Sequence, residues 1–445
     1  MRVFSNNIAN AVARLPDHQV FGRVADIVGL MVEIGGLQGT LSIGDHVRVD
    51  GRKGHYVICE VIGFRDGRAL VMPFGSLDGI GLGCQAELAS TEPSIYPDNS
   101  WLGRVIDAFG TPLDDMGPIE SGMKSYQIHT NPPPAHKRRR VGGKVDLGVR
   151  VMNTFLTTCR GQRMGIFAGS GVGKSTLLGM MVRGTDADVS VIVMVGERGR
   201  EVREFIEDEL GPAGLGRAVV VVATSDEPPL MRRRACFTGQ RIAEWFADQG
   251  RDVLLTVDSL TRLAMAQRDV GLAAGEPPTA RGYTPSVFSV LPQLLERAGP
   301  RREGTVTAFY TVLVEGDDMN DPIADTARSI LDGHLVLSRA LGVRGHYPAI
   351  DPLASLSRLA SKVVEPSGQD AAAVIRRALA AADEVRDLVE VGAYVPGTNP
   401  DADRGLAMRG AIDAFLRQDV ADLTGYEDTW NRMHGLAAAW AEAAA

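Results

Sequence analysis

Cysteine is scarce in this chain: four in 445 residues, at Cys59, Cys84, Cys159 and Cys236, far apart and with no Cys-x-x-Cys pair. That excludes a disulfide framework and a zinc ribbon and predicts reduced thiols in a cytoplasm. Long apolar runs are missing as well. A membrane-spanning helix needs roughly 18 consecutive apolar residues, and the longest stretches here, such as 189–195 and 219–223, have only strand length. No basic segment followed by an apolar core opens the chain, so no secretory signal is read. Positive charge is not in excess: 47 Lys and Arg stand against 55 Asp and Glu, for a net charge of −8. This argues against binding nucleic acid through the overall field. What is present is ordinary for a globular protein, 44% apolar and 23% charged residues, in a chain long enough for several domains.

The texture changes along the chain. Residues 18–90 read as all-β, with short segments at 20–27, 30–34, 46–49, 56–64 and 69–74. Turn pairs lie among them, including Gly35-Gly36, Asp50-Gly51 and Asp66-Gly67, a spacing that predicts a small barrel. Pro93, Pro97 and the 114–118 stretch mark a boundary, and Pro132-Pro133-Pro134 precedes a basic run at 136–140 that reads as a solvated linker. From about 145 to 365, apolar β-branched runs ending at Phe167, Val195, Ala223, Val257, Val314 and Ser338 alternate with helical patterns. That is the signature of a buried parallel sheet with crossover helices. From about 368 the chain is Ala-rich and helical, broken at 397–400. The first fifteen residues could form a short amphipathic helix, as a cap or as a docking segment. The expected domains are 1–92, 93–366 and 367–445.

The chemistry is concentrated in three places. Residues 164–178 run from an apolar strand through Ala168-Gly169-Ser170-Gly171-Val172-Gly173-Lys174-Ser175-Thr176 into a helical pattern. This is the strand–loop–helix context that a phosphate loop requires. Gly169, Gly171 and Gly173 free the backbone to turn its N–H groups inward, and the helix N-terminus adds its positive end. Lys174 supplies charge to the β- and γ-phosphates, and Ser175 is the expected Mg²⁺ ligand. Asp258 ends the apolar strand 253–258 and is assigned to Mg²⁺, directly or through water. Glu197 follows the apolar strand 191–195 and is the candidate for polarising the attacking water. The acidic loop at 315–318 reads as a solvated turn.

In this order, the phosphate loop, Gly196-Glu197-Arg198, Asp258-Ser259-Leu260-Thr261-Arg262 and Pro348-Ala349-Ile350-Asp351 with its following Ser355-Leu356-Ser357 resemble the catalytic subunits of the rotary ATP synthases. Within that group the chain resembles the type III export ATPases, in segments such as Asp146-Leu147-Gly148-Val149-Arg150, Gly345-His346-Tyr347-Pro348 and Phe415-Leu416-Arg417-Gln418. Gln267 and the 276–279 segment lean toward the flagellar branch. The resemblance implies an α/β core: a RecA-like P-loop nucleotide-binding domain with an N-terminal β-barrel and a C-terminal α-helical domain. It implies that Glu197 is the catalytic glutamate, that Arg198 lies near the γ-phosphate and that Tyr347 stacks on adenine. Arg358 matches the arginine finger delivered into a neighbouring subunit's site. Where the synthases place a second aromatic, this chain has Val420.

The implied ligands are ATP and Mg²⁺. The implied assembly is a homohexamer, since one chain carries Lys174, Glu197 and Arg358. The implied partners are a regulatory stator protein, a central stalk protein, a membrane export gate, and export substrates with their chaperones, at the inner face of the cytoplasmic membrane; no nucleic acid is expected. Competing readings are a virulence-type secretion ATPase, a rotary synthase subunit, an RNA-translocating hexamer and a non-catalytic nucleotide-sensing scaffold. The last conflicts with intact Lys174, Glu197 and Asp258.

Overall fold

Alternation of inward apolar and outward polar residues shapes the first part of the computed structural model, which describes residues 21–37, 39–134, 136, 138–314, 316 and 318–443. Strands β1 (Phe21–Val28), β2 (Met31–Gly35), β3 (His46–Asp50), β4 (Tyr56–Arg65), β5 (Arg68–Pro73) and β6 (Gln85–Ser90) close into a barrel of order β1-β2-β5-β4-β3-β6. Its interior is filled by side chains such as Val24, Val32, Val47, Val57, Val61 and Val71. Asp66 and Gly67 both take positive φ at the β4–β5 hairpin, the conformation such two-residue turns need. The sixth strand was not foreseen; its Gln-Ala-Glu-Leu-Ala-Ser sequence carries little β signal, yet pairing with β1 and β3 closes the barrel. The expected helix in the first fifteen residues lies outside the described residues.

Two short ladders follow: β7 (Ser94–Ile95) with β9 (Tyr126–Gln127), and β10 (Lys144–Val145) with β11 (Thr158–Cys159). Between the first pair, β8 (Arg104–Ile106) joins the edge of the main sheet. Three residues inside a turn-rich stretch give no periodic signal, so β8 was not predicted. The main sheet also contains β12 (Arg163–Ala168), β13 (Val189–Val195), β14 (Ala218–Ala223), β15 (Asp252–Asp258), β16 (Gly299–Pro300), β17 (Thr305–Leu313), β18 (Gly333–Leu337) and β19 (Leu356–Ser357). Its order is β19-β18-β12-β17-β15-β13-β14-β8, with β16 paired to β17. All neighbours are parallel except at β16 and β19. Strands β13 and β14 are buried along their whole length, as expected of a sheet covered on both faces.

The helices are α1 (Arg150–Thr154), α2 (Lys174–Gly184), α3 (Gly199–Glu204), α4 (Gly211–Leu215), α5 (Pro229–Asp248), α6 (Leu260–Ala274), α7 (Pro285–Leu295), α8 (Pro322–Ile330), α9 (Arg339–Val343), α10 (Pro366–Glu384), α11 (Arg386–Glu390), α12 (Pro400–Leu416) and α13 (Tyr426–Glu442). The last four form the helical end. Their apolar side chains, including Ile375, Ile412 and Met433, share one core with Leu147, Met152 and Phe155. The basic run at 136–140, read as a solvated linker, is exposed at His136, Arg139 and Arg140, yet two of its arginines are tied down. Arg138 pairs with Glu296 at 2.9 Å, and Arg139 donates to the carbonyls of Arg301, Glu303 and Gly304, so both side chains fasten this connection to the α7–β17 turn.

Candidate nucleotide site

The ends of three parallel strands converge on one cavity. Strand β12 delivers the phosphate loop, β13 delivers Gly196 and Glu197, and β15 ends in Asp258. The cavity holds about 640 Å³ and is lined by Gly169, Gly171, Lys174, Glu197, Arg198 and Arg262, among others. Gly171 (φ +77°) and Gly173 (φ +89°) occupy the left-handed region; Gly169 does not, which corrects the expectation that all three glycines are needed for backbone angle. Gly173 caps α2, whose first turn points its N–H groups at the cavity. Ala168 is the buried last residue of β12, and Val172 packs into the core beneath the loop, while Ser170 and Ser175 are exposed.

Lys174 Nζ donates to Asp258 Oδ1 at 2.6 Å and reaches Glu197 Oε1 at 3.4 Å. Thr311, fully buried on the neighbouring β17, donates to the same Asp258 oxygen at 2.7 Å. Burial works against charge on Lys174, but the two carboxylates hold its pKa above the ordinary value. Glu197 is shifted upward, first by burial, then by the negative charge of Asp258, with Lys174 opposing. Its backbone bend comes from Gly196 (φ +69°), where an added Cβ would sit 3.1 Å from the Arg262 stem. Ser259 caps α6 by accepting from Arg262 N–H, so this turn aims Arg262 at the cavity.

Arg198 lines the cavity, but its side chain is 75% exposed and paired with Glu201 at 3.1 Å. The Tyr347 ring lies over the loop: a Cβ on Gly173 would stand 3.5 Å from it. Arg358 is elsewhere. Ser357 on β19 pairs with Gly333 at the start of β18, whereas Ala168 pairs with Leu337 at its end. Arg358 thus lies one strand length, about 13 Å, toward the opposite edge of the sheet, and donates to the Arg328 carbonyl at 3.3 Å. Glu201, Arg262 and Thr311 were not singled out from sequence. The available signal was position: Glu201 lies in the first turn of the helix that follows Glu197, and Arg262 in the first turn of the helix that follows Asp258.

The residues fit a nucleoside triphosphate with a divalent cation. The loop offers backbone donors and Lys174, Ser175 presents an exposed hydroxyl, and Asp258 presents a carboxylate from which Lys174 must turn toward the phosphates. Ser175 and Asp258 would hold such a cation, which would supply positive charge to the phosphates.

Comparison with known proteins decides the family. Residues 148–357 match the nucleotide-binding domain of the ATP synthase alpha/beta family, residues 24–87 its beta-barrel domain, and residues 364–435 the C-terminal domain of the type III secretion ATPase EscN. The chain is 49% identical to a flagellum-specific ATP synthase of Caulobacter vibrioides, covering 95% of this chain and 97% of that one. It belongs to the flagellar and type III secretion ATPase family. A type 3 secretion system ATPase of Xanthomonas euvesicatoria is 46% identical, with 96% of each chain covered. Among solved structures, the assembled ATPase EscN from enteropathogenic E. coli superposes with a TM-score of 0.88 at 41% identity, over 94% of this chain and all of that one. EscN in complex with its central stalk EscO gives 0.86 at 40%. As a member of this family the chain is an ATP hydrolase, and its fold is the barrel, nucleotide-binding core and helical end that the resemblance implied. Among the described residues no helix is long and apolar enough to cross a membrane.

Proposed function

We propose that this chain energises type III protein export for flagellum assembly by hydrolysing Mg-ATP at the subunit interfaces of a homohexameric ring. The reading is carried by Lys174 held between Asp258 and Glu197 at the strand ends, in a chain 49% identical along nearly its whole length to a flagellum-specific ATP synthase. In the reaction, Lys174 exchanges its carboxylate partners for the β- and γ-phosphates. Glu197 orients the attacking water and accepts its proton, a task that its raised pKa suits. Arg198 swings from Glu201 toward the γ-phosphate. Arg358, remote from its own phosphate loop, acts in the neighbouring subunit's site, where such a finger contributes roughly 10³–10⁵ in rate.

The assembled EscN and its complex with a central stalk support a ring and a stalk partner for this chain. The stator, export gate, substrates and chaperones, and a position at the inner face of the cytoplasmic membrane, follow from the same reading. The second reading, virulence-type secretion, is favoured by the 46% identity to the Xanthomonas ATPase. Deleting the gene and counting flagellar filaments by electron microscopy separates them. Filaments should vanish and be restored by the wild type far better than by Glu197→Gln. Unchanged filament number would overturn the flagellar assignment.

A further inference from the structure

Two segments more than 260 residues apart meet beside Tyr347. Arg150, at the start of α1, is 4% exposed and spends its donors on the α12–α13 connection. Its Nε donates to the Phe415 carbonyl at 2.8 Å, its Nη1 to Asp422 at 2.6 Å and Thr424 at 2.9 Å, and its Nη2 to the Arg417 carbonyl. Its backbone N–H donates to Gln418 Oε1 at 2.8 Å. Gln418, 5% exposed, returns its Nε2 to the Gly148 carbonyl at 2.7 Å, and its backbone N–H donates to the Tyr347 carbonyl at 2.9 Å. Arg183, in the last turn of α2, ties the Val420 carbonyl to the phosphate-loop helix at 3.1 Å. The connection between two helices of the C-terminal end is therefore bonded to the element before the phosphate loop, to the helix after it and to Tyr347.

We infer that Arg150 and Gln418 are positioning residues for the base end of the nucleotide. They fix the α12–α13 connection and, through it, the backbone that carries the Tyr347 ring. A surface connection joining two helices has no need of five donors from one buried arginine. A fork of planar donors that satisfies successive carbonyls and a carboxylate sets a loop in one conformation. The inference rests on reading Tyr347 as the residue that stacks on the base. It adds that the ring is held from the helical end, so that base affinity depends on residues that touch no part of the nucleotide.

The test compares the full-length Gln418→Leu, Gln418→Glu and Arg150→Lys variants with Tyr347→Ala and the wild type. The readouts are the KM and kcat for Mg-ATP, the inhibition constant of Mg-tripolyphosphate, which has no base, and the melting temperature. Gln418→Leu should raise the KM for ATP about tenfold, the scale of one lost buried hydrogen bond. It should leave kcat and the tripolyphosphate constant within twofold, and Tyr347→Ala should show the same split. Should Gln418→Leu fail to fold, the isosteric Gln418→Glu and Arg150→Lys carry the same expectation. Tyr347→Ala with an unchanged KM would overturn the base-stacking reading itself. Tyr347→Ala with a raised KM beside Gln418 and Arg150 variants at the wild-type value would overturn only the positioning role. Equal weakening of ATP and tripolyphosphate would reduce Arg150 and Gln418 to structural residues.

Discussion

Lys174 sits 2.6 Å from Asp258 and 3.4 Å from Glu197, so its charge is neutralised by the two carboxylates to which the proposed function gives the cation and the attacking water. Glu197→Gln should lower kcat by roughly 10²–10⁴, the usual contribution of a positioned base, with little change in nucleotide affinity measured by equilibrium titration. The pH dependence follows from the same side chain. The base must be ionised, and burial with Asp258 nearby raises its pKa. Activity is therefore lost as pH falls through that raised value, above the ordinary glutamate value of about 4.3. A kcat/KM profile whose acid limb lies at or below the ordinary value would contradict this. Gly196→Ala should also be damaging: φ of +69° and the Arg262 stem 3.1 Å away leave a methyl group no strain-free position, and Glu197 would be displaced.

At the scale of elements, the seam between barrel and core shows how charge is managed away from solvent. Glu60 of β4 pairs with Arg233 of α5, both nearly buried, while Arg234 stacks 4.2 Å from the Phe109 ring. His46, buried beside these arginines, is pushed down to about 4 by burial and by the positive charge of Arg234. Two consequences are measurable by denaturant unfolding. Arg233→Met strands Glu60 and should cost about 3–5 kcal/mol. Between about pH 6.5 and 4 the unfolded chain binds a proton that the folded His46 refuses, so stability falls as pH falls, by at most about 1.4 kcal/mol per pH unit. His46→Gln should flatten that slope.

Legibility also differs by element. The strands that carry Lys174, Glu197 and Asp258 were readable because a sheet buried on both faces demands continuous β-branched runs, and ligands gather at its carboxyl edge. The short strands β6 and β8 were not readable, because their pairing is imposed by neighbours distant in sequence. The anchoring of the basic run at 136–140 was unreadable for a related reason. Its charges suggested solvent, and Arg139 is exposed, but the carbonyls that accept from Arg139 belong to residues more than 160 positions away. Arg150 and Gln418 stood in recognisable segments, but their mutual bonds appear only when the helical end folds back on the core.

For the whole molecule the decisive fact is that Lys174 and Glu197 share one cavity while Arg358 lies toward the other edge of the sheet. Arg358, proposed as the finger, is remote from the phosphate loop of its own chain, so the proposed role requires neighbouring subunits. Arg358→Ala should cut kcat in the assembled enzyme while leaving nucleotide binding by the subunit intact. The most direct test mixes two inactive proteins, Glu197→Gln and Arg358→Ala, under assembling conditions and measures ATP hydrolysis. An equal random mixture makes about a quarter of the interfaces whole, each pairing an intact Glu197 with an intact Arg358. The account predicts activity well above that of either variant alone. A mixture no more active than its components would contradict catalysis shared across subunits.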